Sequence, residues 1–156
     1  MTHFNHWRAC AIATLMMAPC LSSAGEWKQI TSAAFMTPDA SNTGFNLMVS
    51  VNNETKSTRA NFVGQSHSLC RTEPNGDQGA IGPYKVNGKF VNFWGVCTQG
   101  HLWIIANSPA GEGWVMNSAR TQNPLPVEFT PGKTVLFDTS GIADVERKLD
   151  ETKSAL

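Results

Sequence analysis

Two cysteine–histidine pairs are the first residues in this chain whose types and spacing could do chemistry. His67-x2-Cys70 lies in "QSHSLC" (65–70), and Cys97-x3-His101 lies in "GVCTQGHL" (95–102). Four such side chains match the ligand count of a structural zinc site, whose donors must converge within about 2.0–2.3 Å of the metal. A thiolate beside a histidine would instead be a nucleophile with its base. In an oxidising compartment the two cysteines would form a bridge.

The elements that carry these residues discriminate among the three. "NFWGVCTQGHLWIIANS" (92–108) reads as a β-hairpin with Gln99-Gly100 as its two central residues. Thr98 then faces His101, Cys97 faces Leu102, Gly95 faces Ile104 and Phe93 faces Ala106. Successive side chains in a strand point to opposite sides. One face therefore carries Val91, Phe93, Gly95, Cys97, Leu102, Ile104 and Ala106; the other carries Asn92, Trp94, Val96, Thr98, His101, Trp103 and Ile105. The first face is apolar throughout and is the expected core, which takes Cys97 with it. His101 goes to the opposite face, and the same parity separates His67 from Cys70. Zinc-finger spacings also place paired cysteines close together, which this chain does not. The expected product is a Cys70–Cys97 disulfide. Metal binding through Cys70, Cys97, His67 and His101 is the rival, and no cofactor is expected.

Other candidate chemistry is thinner. "GQSHS" (64–68) has Ser68 where a nucleophile elbow needs its second glycine, and that motif belongs to a strand–turn–helix in an α/β fold. "DTSG" (138–141) is read as a strand end and helix cap. A small hydrolase would have to use Ser66, His67 or His101 with a carboxylate such as Asp77 or Glu112. Asp77 reads as a solvated loop charge, and Glu112 as another on a Gly-rich loop. No pair of carboxylates is placed for acid–base work by spacing.

Aromatic residues are the stronger signal. Trp94, Trp103 and His101 share the second hairpin face, and Trp114 follows after "SPAGEG". Such a ledge could bind a protein, peptide or glycan, because tryptophan is favoured at contact surfaces. The commoner arrangement is a second core layer, covered by Ile142, Val145 and Leu149 of a terminal helix or by another sheet.

Composition sets the context. The chain has 156 residues and formal net charge zero. "MTHFNHWR" is a weakly cationic start, "ACAIATLMMAPCL" an apolar run too short to span a bilayer, and "SSA" (22–24) a small-residue cleavage site. Residues 1–24 are expected to be a cleavable signal peptide, leaving Gly25 first. Pro19 before Cys20 makes a poor lipoprotein signal. The mature chain keeps eleven Lys/Arg and twelve Asp/Glu, a balance that argues against nucleic acid or anionic lipid as the main partner. No later apolar run is long enough for a transmembrane segment.

Short strands dominate the rest. "GFNLMVSV" (44–51) places Phe45, Leu47, Val49 and Val51 on one face, and "STRANFVG" continues after a polar turn as the second arm of a hairpin. "TEPNGDQGAIGP" (72–83) reads as a turn-rich loop. "YKVNGKFV" (84–91) turns at Asn87-Gly88, and "PVEFTPGKTVLFD" (126–138) turns at Pro131-Gly132, with Pro124 and Pro126 favouring a sheet edge. In "SGIADVERKLDETKSAL", Ile142, Val145 and Leu149 form one helical stripe, with Thr139 or Ser140 as candidate cap. The expectation is a mainly β domain over 25–140, some eight antiparallel strands in a sandwich or partly open barrel, with an amphipathic helix over 141–156 packed on or beside it.

The run "YKVNGKFVNFWGVC", followed by "SPAGEGWVMNSA" and the late "VEF…VLF" hairpin, resembles small exported bacterial proteins of uncharacterised function. They share a V-N-G-x-x-V turn, a cysteine soon after it and a Gly-aromatic segment. The resemblance covers roughly the C-terminal half of the mature chain and implies an exported β-protein. It brings no catalytic or binding residue. The sequence thus points to a periplasmic or secreted, disulfide-bonded β domain that acts by binding, with another envelope or extracellular protein as partner, rather than to an enzyme.

Overall fold

A computed structural model describes residues 26–38 and 40–154; the expected signal peptide lies outside the described residues. Nine strands form a single antiparallel sheet: β1 (Lys28–Thr31), β2 (Ala34–Met36), β3 (Phe45–Val51), β4 (Thr58–Gly64), β5 (Gly76–Val86), β6 (Lys89–Thr98), β7 (His101–Ala106), β8 (Leu125–Thr130) and β9 (Lys133–Phe137). Their spatial order is β1-β2-β3-β4-β7-β6-β5-β8-β9. Helix α1 (Pro109–Thr121) joins β7 to β8, and α2 (Ile142–Ser154) follows β9. Of the two expected architectures this is the partly open barrel. The sheet curls so far that Phe45 of β3 stacks on Phe129 of β8, ring centroids 4.2 Å apart, although four strands lie between them in the sheet.

Alternation explains which side is buried. Leu47, Phe62, Phe93, Leu102, Leu125 and Phe137 all point into the curl and are fully buried. Each is worth about 1.5–3 kcal/mol relative to exposure. Phe62 packs edge-on to Phe93 and Phe129, and Tyr84 packs edge-on to Phe129, so the concavity is filled by aromatic rings. Both helices close the same side: Val115, Met116 and Ala119 of α1, and Ile142, Val145 and Leu149 of α2, join this inner cluster.

The turns follow their residues. Asn87-Gly88 and Gln99-Gly100 both carry positive φ at each central position, the geometry of two-residue hairpin loops whose twist matches the strands. The third hairpin, β8–β9, forms one margin of the sheet. The helix over 142–154 also has the expected buried stripe. As for its candidate caps, the Thr139 hydroxyl donates to the Gln122 carbonyl beyond α1.

Two expectations are corrected. The 72–83 "loop" is mostly strand: β5 begins at Gly76, and its turn signals are absorbed as register shifts between Asp77 and Gly79 and between Ile81 and Tyr84. The Gly-rich segment at 109–121 is helix α1. Ser108 caps it by accepting the Gly111 amide, and Pro109 occupies the first turn, where its missing N–H costs nothing. Gly111 is there for close packing: a Cβ on it would lie 3.1 Å from Val91 Cγ1 and 3.3 Å from Ala106 Cβ.

Candidate functional site

The β6–β7 hairpin pairs as its sequence requires, with Thr98 opposite His101, Cys97 opposite Leu102, Val96 opposite Trp103 and Phe93 opposite Ala106. Its turn is held from a neighbouring segment: the Gly100 amide donates to Pro74 O and the Gln99 amide to Asn75 Oδ1. Cys97 lies on the inner face and is bonded to Cys70, with Cα atoms 5.5 Å apart and both residues buried. The bridge ties the Ser68–Cys70 3-10 turn to β6.

That pairing disassembles the metal rival, because both sulfurs are bonded to each other instead of standing as thiolates. Among the described residues no group of three or more His, Cys, Asp or Glu side chains could hold a metal ion.

The hydrolase rival fares no better. The His67 ring packs against Phe45, an inner-face residue, with ring centroids 6.0 Å apart. His101 belongs to the outer face beside Trp103, Val63 and Met36. The sheet separates the two histidines. Asp77 Oδ1 accepts the Gly79 amide within a bulge of β5, so Asp77 is a strand residue. Glu112 is helical, only partly exposed, and 3.9 Å from Arg59 Nη1. Burial lowers the His67 pKa from its ordinary value.

The outer face holds what remains. Trp94 is 40% exposed, and Trp103 packs on a small separate cluster of Ala34, Met48 and Val63. The terminal helix does not cover this face, because its stripe joins the inner cluster. Trp114 is not part of the ledge. It lies on α1, donates its indole N–H to Val86 O at 2.9 Å and carries the Lys89 ammonium 4.8 Å from its ring. Sequence parity also held residues that the hairpin reading stopped short of. Phe90 alternates with Asn92 and Trp94 along β6 and is 68% exposed, and Leu136 and Ile30 are exposed on the same side. Alternation extended two residues upstream of Asn92 would have found Phe90. Lys85 lies opposite Phe90 in the β5–β6 register and pairs with Glu128 at 3.3 Å.

Comparison with protein-family models, curated proteins and solved structures gives no match. The chain is a disulfide-bonded β domain, and none of the helices among the described residues is long and apolar enough to cross a membrane.

Proposed function

We propose that this is an exported binding domain that uses the outer face of the β6–β7 hairpin to contact another envelope or extracellular protein. The observation that carries the reading is the exposure of Trp94 and Phe90 on a face that both helices leave open. Exposed aromatic side chains offer large contact area at low conformational cost, and such residues dominate binding energy at protein interfaces. A buried disulfide suits an oxidising compartment, and the signal-like N-terminus and the resemblance to small exported proteins point the same way. His101 and Trp103, half-buried beside Trp94, would form the firmer floor of the contact.

The test is site-specific photo-crosslinking in the producing cell, with the crosslinker at position 94 and a control at Glu151 on the exposed side of α2. A discrete adduct from position 94, absent from position 151 and lost on Phe90→Ala, supports the reading. Equal adducts from both positions, or none from position 94, overturn it.

A further inference from the structure

The "GQSHS" stretch is built around one atom. His67 precedes the Ser68–Cys70 turn, and its Nδ1 accepts the Leu69 amide at 3.3 Å, so the side chain acts as the turn's N-cap. The ring is seated against β3 and β4: a Cβ on Gly64 would come within 3.1 Å of His67 Cδ2 and 3.2 Å of Phe45 Cε1. Gly64 is thus the residue that lets the imidazole lie over the strand. Ser66, with φ of 47°, turns the chain between them. The same segment carries Cys70, bonded to β6.

An N–H can donate to an imidazole nitrogen only while that nitrogen is unprotonated. The geometry points to His67 as a proton-released latch: protonation of Nδ1 breaks its bond to the Leu69 amide and frees residues 66–69 from β3 and β4, while Gln65, which donates to Gly44 O and Asn46 Oδ1, and the Cys70–Cys97 bridge keep the segment tethered at both ends. Few other charges face this site. Strands β3 and β6 contribute no titratable group near it, since Lys89 is at the far end of β6. On β4, Arg59 is at the opposite end and turned to Glu112. On β7, His101 is on the outer face. In the segment itself Arg71 is exposed, and Glu73 lies against Gly76.

Burial, with no charged neighbour contributing, favours the neutral ring. The sign follows. The unfolded or opened segment takes up its proton below about pH 6.5, while the latched ring resists until lower pH. The latch is therefore closed above that value and weakens as pH falls, the open population rising by at most about tenfold per pH unit.

Hydrogen exchange of the 69–71 amides in the full chain, corrected for intrinsic rates, tests this between pH 7.5 and 5.0. Protection should fall severalfold in the wild type, while the β3 and β4 amides keep theirs. His67→Asn, which retains a capping oxygen that does not titrate, should make protection pH-independent. Unchanged wild-type protection, or the same pH dependence in His67→Asn, overturns the latch. A titration of the wild type by NMR needs no variant: the Leu69 amide and the His67 ring must share one midpoint, and separate midpoints refute the coupling.

Discussion

Two glycines two residues apart in α1, on opposite sides of the helix, should respond to the same substitution with opposite signs. Gly113 is exposed, and a Cβ built on it meets nothing within 4 Å. Gly113→Ala should therefore collect the full helix-propensity difference, about 1 kcal/mol of added stability. Gly111 is buried, and a Cβ there would be 3.1 Å from Ser108 Oγ and from Val91 Cγ1. Val91 sits in the filled core and cannot yield without cost, and overpacking of this kind costs about 1–3 kcal/mol. Pushing Ser108 away also weakens a cap worth about 1 kcal/mol. The propensity gain does not offset both, so Gly111→Ala should destabilise by about 1 kcal/mol or more. At about 2.1 cal/mol/K of unfolding entropy per residue, 1 kcal/mol moves the melting temperature of a domain this size by about 4 °C. The two variants should lie about 8 °C apart, one on each side of the parent, with urea midpoints in the same order. If Gly113→Ala is neutral or destabilising, residues 109–121 are not a helix. If Gly111→Ala is equally stabilising, the close approach of α1 to β6 and β7 is wrong.

Replacing both bridge cysteines, Cys70→Ala with Cys97→Ala, opens a loop of sequence separation 27. The chain-entropy relation puts the cost at about 3.5 kcal/mol, to be read from urea unfolding; a loss below about 1 kcal/mol would contradict it. Trp103→Ala, which strips the outer cluster of Met48 and Val63, should cost about 2–3 kcal/mol, whereas Trp94→Ala should cost about 1 kcal/mol or less. Equal losses would mean that Trp94 is a core residue and not a ledge. Intact mass of the protein recovered from outside the cytoplasm should correspond to a first residue of Gly25; a retained leader, or a chain starting at a lipidated Cys20, refutes cleavage after Ala24.

Strand parity made the hairpin faces and the bridge legible before any coordinates. Period two leaves no freedom once a turn such as Asn87-Gly88 or Gln99-Gly100 sets the register. The same logic failed wherever glycine does more than one job. In β5, Gly79 and Gly82 are strand residues at irregular pairings, not loop punctuation. In α1, Gly111 and Gly113 hide a helix whose cap, Ser108-Pro109, was the readable signal. The terminal helix shows the other limit. Its stripe of Ile142, Val145 and Leu149 announces that it is buried but not against which face of the sheet. Both faces of β6–β7 offered it apolar partners, and the curl of the sheet, a long-range property, decided for the concave side.

The last helix also stitches together the start of the chain. Trp27 Nε1 donates to Ser140 O at the approach to α2, the Thr152 hydroxyl donates to Ser32 O, and Lys153 Nζ donates to the Thr58 hydroxyl. A chain emerging with its N-terminus first makes β1 to β4 long before α2 exists. Until then Leu47, Val49 and Val51 lack their lid. The strands made first therefore wait for residues 140–154 before their last contacts can form, and folding of the sheet is completed from its C-terminal side.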